Sequence, residues 1–278
     1  MTMQVIDTHV HYWQSASRER PHDPAGGQIG DAVSVEQLLE AMRVAGVDKI
    51  IQITRVLMGY DNRYSLEGAA RYSDRIRVFG RFDPTTPDMA ERLKTWLDQP
   101  YMIGIRLTLI TPPQTKWLTD GGLYGFWDEV ERLDIPVAIY APSQAKALGD
   151  VGRRHPRLRL LVDHLALLPF AVEPSPFEHW SDVLDLVQVP NIYLKVSALP
   201  EATHERYPFP KAQEYMRQVY ERFGPDRMIW GSNYPVTLSV CSYKEAVDFV
   251  REACDFIAPA DRKKVMGETA MRFLKLPW

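Results

Sequence analysis

The sequence predicts an α/β fold, a single (β/α)8 TIM-type barrel forming one domain over residues 1–278. Three observations predict it. The length of 278 residues is close to the ~250 typical of such a barrel. Eight short apolar runs alternate with helical patterns, the rhythm of parallel βαβ units. The first run ends in paired histidines, where an open doubly wound sheet, the alternative, usually carries a glycine-rich phosphate loop.

The runs are Gln4–Asp7, Lys49–Ile53, Arg77–Arg81, Gly104–Leu107, Val137–Tyr140, Leu160–Asp163, Ile192–Lys195 and Met228–Trp230. Continuous aliphatic stretches such as Ile50-Ile51-Gln52-Ile53 have the character of buried parallel strands. Ser34 followed by Gln37 is a capping-box signature, opening a helix that ends near Gly46. Helical spacing recurs over Pro87–Trp96, around Phe126, Val130 and Leu133, and over Lys211–Phe223, where Gly224-Pro225 stops it. Two further helices, Tyr243–Ile257 and Ala260–Leu274, close the chain. The longest loops, 13–33, 108–122 and 165–176, all follow strand C-termini, the face on which barrels keep their active sites.

A net charge of −3 lacks the basic excess of a nucleic-acid binder. No apolar run approaches the ~18 residues of a membrane span, and a strand beginning by Val5 leaves no room for a signal peptide. A cytoplasmic protein with two reduced thiols, Cys241 and Cys254, is expected. The tail Phe273-Leu274-Lys275-Leu276-Pro277-Trp278 is apolar for a chain end. It is expected to pack on the barrel or on a second copy in a homo-oligomer.

Candidate chemistry gathers at the strand ends. His9 and His11, spaced i, i+2, project to one face and suit a metal ion or the polarisation of a substrate oxygen. Trp13 follows them. Arg55 and Asn62 follow the second strand, Arg106 lies on the fourth and Tyr140 on the fifth. Asp163 and His164 end the sixth strand, Lys195 and Ser197 the seventh, and Ser232, Asn233 and Tyr234 the eighth. Each alone has a structural explanation, such as pairing with a loop carboxylate. Polar groups at seven strand ends are costly to gather unless they bind something.

The motifs Ile6-Asp7-Thr8-His9-Val10-His11, Gly104-Ile105-Arg106, Val162-Asp163-His164 and Ile229-Trp230-Gly231-Ser232-Asn233-Tyr234-Pro235 span most of the chain. In them the sequence resembles the amidohydrolase superfamily, in particular the amidohydrolase-related (amidohydrolase 2) branch that includes lactonases. The resemblance implies a hydrolase of a small carboxylated lactone or related cyclic ester. It also implies either no cofactor or one divalent metal, zinc by preference, on His9, His11 and His164. Metal-using members carry an aspartate where this chain has Asn233, whose amide lacks basicity. Tyr140 and Arg106 stand where two-metal members have a histidine and a lysine.

The resemblance implies a catalytic set of His9, His11, His164 and Asn233, to which Tyr140 is added as a hydrogen-bond donor to the substrate. Arg106 foremost, then Arg55, with Asn62, Lys195 and Trp13, is expected to bind an anionic substrate. Proton removal is assigned to His164 rather than Asp163, which is placed on the opposite strand face. Two other classes remain: a non-hydrolytic enzyme on the same barrel (decarboxylase or lactone isomerase) and a catalytically silent binding protein.

Overall fold

The computed structural model describes residues 3–26, 30–171, 175–276 and 278. Parts of the expected first and sixth loops (27–29 and 172–174), and Pro277 of the tail, lie outside the described residues. Eight parallel strands run in sequence order: β1 (Ile6–Val10), β2 (Lys49–Ile53), β3 (Ile76–Arg81), β4 (Met102–Thr108), β5 (Val137–Tyr140), β6 (Leu160–Val162), β7 (Ile192–Val196) and β8 (Met228–Trp230). Backbone bonds from His11 N to Tyr234 O (2.8 Å) and from Asn233 N to His9 O (2.9 Å) bring the first and last strands together. The expected barrel is therefore the observed one. β1 runs later than expected, from Ile6 to Val10, so His9 is within the strand and His11 just beyond it.

Local signals explain the helices. Ser34 accepts from Gln37 N while the Gln37 side chain accepts from Ser34 N, and Gly46 closes Val35–Ala45 at φ 76°, a left-handed angle that glycine adopts at little cost. The first closing helix ends in a π turn at Phe249–Ala253, and the second is interrupted by one at Lys264–Glu268.

Outward strand residues such as Val78, Ile105 and Val162 pack beneath the helices. A second cluster joins Ile51, Phe79, Ala138, Leu161 and Ile229 to Phe273, Leu274 and Leu276. The apolar tail therefore packs on this chain's own barrel. Among the described residues, no helix is long and apolar enough to cross a membrane.

Candidate active site

The C-terminal strand ends enclose a cavity of about 250 Å3. Seven expected residues line it: His9, His11, Arg55, Arg106, Tyr140, His164 and Asn233. Ile53, Val56, Ile110, Phe170 and Val236 supply apolar wall. Asn62, Lys195 and Trp13 are not among the lining residues, and each has a structural task instead. The Asn62 side chain bonds the Arg81 carbonyl (2.9 Å) and amide (2.8 Å). Trp13 lies behind Arg55, ring centroid to guanidinium carbon 4.6 Å. Lys195 is fully buried beneath the floor.

Contrary to expectation, Asp163 does not turn to the opposite face of its strand. Leu161 faces the barrel interior, and strand alternation carries Asp163 to that same side. There it pairs with Lys195 Nζ at 2.8 Å and with Arg106 Nη1. His164 departs from alternation: its φ of 53° turns the side chain into the cavity. Against burial, which alone would raise it, Arg106 and Lys195 hold the Asp163 carboxyl well below the usual carboxylate range.

The paired histidines share the cavity but differ in proton placement. His11 Nδ1 lies 2.8 Å from the Ile53 carbonyl oxygen, which can only accept, so the proton is on Nδ1 and Nε2 carries a lone pair. His9 Nδ1 lies 3.3 Å from Lys195 Nζ. An ammonium can only donate, so His9 carries its proton on Nε2, an atom with no hydrogen-bond partner among the described residues.

Burial, with neighbouring cations, holds both histidines well below the usual imidazole value. His164, whose Nδ1 is 2.9 Å from Ser197 Oγ, is pushed by burial down to about 3.

The two arginines differ in what holds them. Arg106 is committed through Nη1 to Asp163 and through Nε to the Leu107 carbonyl (3.0 Å). Arg55 Nη1 has no hydrogen-bond partner among the described residues, and burial lowers the guanidinium to about 10, leaving it charged at neutral pH. Burial raises the Tyr140 hydroxyl to about 12, so it remains a donor. Glu201, absent from the sequence expectations, is not a lining residue, but its Oε1 accepts from Asn233 Nδ2 at 3.2 Å. Its only sequence signal is a lone acid in the apolar stretch Leu199-Pro200-Glu201-Ala202.

These residues do not fit a divalent ion. Among those described, no three His, Cys, Asp or Glu side chains are arranged to hold one. The wall offers three neutral imidazoles, one of them protonated on the atom facing away from Lys195, and an amide. Arg55 and Arg106 would repel a further cation.

A parallel barrel with histidines, arginines and a tyrosine around its C-terminal mouth is of the enzyme-bearing class. The amidohydrolase family model matches residues 6–276, and the chain belongs to that family. An L-fucono-1,5-lactonase of Burkholderia ambifaria is 30% identical over 98% of this chain and 95% of its own. An amidohydrolase from Burkholderia multivorans, solved with bound zinc, superposes with TM-score 0.83 at 22% identity, covering 99% of this chain and all of its own. A probable 2-pyrone-4,6-dicarboxylic acid hydrolase from Acinetobacter baumannii, solved with citric acid, gives 0.79 at 20% identity over 99% of this chain and all of its own.

Proposed function

We propose that this chain hydrolyses a small carboxylated lactone. The observation that carries the reading is the opposite hydrogen-bonding character of His9 and His11 within one cavity. His9 Nε2–H and the Tyr140 hydroxyl donate to the lactone carbonyl oxygen and stabilise the oxyanion. His11 Nε2 accepts from the attacking water, which Asn233 also orients. Water oxygen bonds to the carbonyl carbon, the ring carbon–oxygen bond breaks, and the proton lost by water ends on the released hydroxyl. Arg55 binds the substrate carboxylate through charge-assisted hydrogen bonds, with Arg106 beside it. The L-fucono-1,5-lactonase relative supports a lactone as substrate; the carboxylate rests on the two arginines at the cavity wall.

Ring opening of carboxylated and neutral five- and six-membered lactones, followed by pH-stat after exhaustive dialysis against a chelator, tests the proposal. Turnover of the carboxylated members, undiminished by chelation, is expected. Turnover of none contradicts it.

A further inference from the structure

Glu201 lies in the short helix Leu199–Thr203 after β7 and is fully buried. Among the described residues no cation pairs with it, and its Oε2 has no hydrogen-bond partner. A buried acid without a cation is costly, and an apolar residue of similar size would fill the space more cheaply. What the carboxyl does contact is Asn233: Oε1 accepts from Nδ2 at 3.2 Å, while Asn233 itself lines the cavity.

An asparagine amide rotates in a broad, nearly two-fold torsion. It presents either an acceptor oxygen or a donor NH2 to the cavity, and its other partner decides which. We infer that Glu201 is a positioning residue that holds the Asn233 NH2 behind the wall and so turns Oδ1 toward the attacking water. The inference rests on the lactonase reading for its catalytic consequence, but the hydrogen bond itself does not. The ionised carboxylate accepts only, so in that form the reversed amide would set oxygen against oxygen; burial raises Glu201 to about 7, so the hold is strongest above neutral pH. Without Glu201 both orientations become available, and the reversed one offers a donor where the water must itself donate.

The test is a double-mutant cycle of Glu201→Leu and Asn233→Ala, with Glu201→Gln as the conservative control that keeps an acceptor oxygen. Glu201→Leu is expected to lower kcat for a carboxylated lactone about 10- to 100-fold, the scale of a misplaced reacting group, with KM nearly unchanged. Glu201→Gln should retain most of the rate. In the Asn233→Ala background, Glu201→Leu should change kcat by no more than about twofold, since coupled residues are not additive. Equal losses in both backgrounds, or no loss, overturn the inference.

A second readout needs no turnover. The 15N side-chain amide resonance of Asn233, assigned by its disappearance in Asn233→Ala, should shift and lose exchange protection in Glu201→Leu. Met replaces Leu at position 201 if the first variant does not fold. An unperturbed resonance overturns the inference, whereas wild-type protein inert to every lactone overturns only the proposed function.

Discussion

Lys195 Nζ stands 3.3 Å from His9 Nδ1 and 2.8 Å from Asp163 Oδ1. One buried ammonium therefore fixes the histidine's proton on Nε2 while its own charge is balanced by the aspartate beneath. Replacing it by an apolar side chain frees His9 to adopt the other tautomer. Lys195→Met is expected to lower kcat about 100-fold, the scale of a lost oxyanion donor, with KM changed little because Lys195 is not a lining residue. Steady-state kinetics checks this, and a change in KM alone contradicts it.

Arg55 offers an Nη1 without a partner among the described residues, whereas Arg106 is held by Asp163. Arg55→Met should raise KM for a carboxylated lactone by about 10- to 100-fold, the value of a charge-assisted hydrogen bond, and leave a neutral lactone nearly unaffected. Equal effects on the two substrates would remove Arg55 from carboxylate binding.

Acid should destabilise the fold well before ordinary carboxyls titrate. His9, His11 and His164 are all held below the usual imidazole value, His164 at about 3. Below pH ~6.5 the unfolded chain takes up protons that the folded chain refuses, so their stabilisation is lost as pH falls, at about 1.4 kcal/mol per pH unit for each. Glu201, raised to about 7, and Asp7, also raised by burial, act in the opposite sense. Their folded forms keep protons that the unfolded chain releases, so their contribution is lost as pH rises from about 4. Three histidines outweigh two carboxyls. The urea midpoint is expected to fall between pH 7 and pH 5, and a flat or rising midpoint contradicts this.

The barrel was legible because each strand is a short apolar run with its polar residues at the C-terminal end. β2, β5 and β8 have the expected bounds. Helices of mixed composition, such as Arg63–Arg71 and Ala145–Arg154, were not, since their apolar faces are too short to stand out. At the site, strand parity located His9, His11 and Tyr140. His164 reaches the cavity as expected, though through a left-handed backbone rather than alternation; parity failed at Asp163, whose partners are 57 and 32 positions away in the chain. Asn62 looked like a ligand group because it follows a strand end; only the fold shows its amide spent on the Arg81 backbone. Glu201 meets Asn233 from a separate element, a relationship that spacing does not reveal.

Hydrolysis, as against decarboxylation or isomerisation on the same barrel, is tested most directly by turnover of a carboxylated lactone in 18O-enriched water. The account predicts one 18O atom in the carboxylate formed from the lactone carbonyl, with no carbon dioxide released. Product without the label, or release of carbon dioxide, would contradict it.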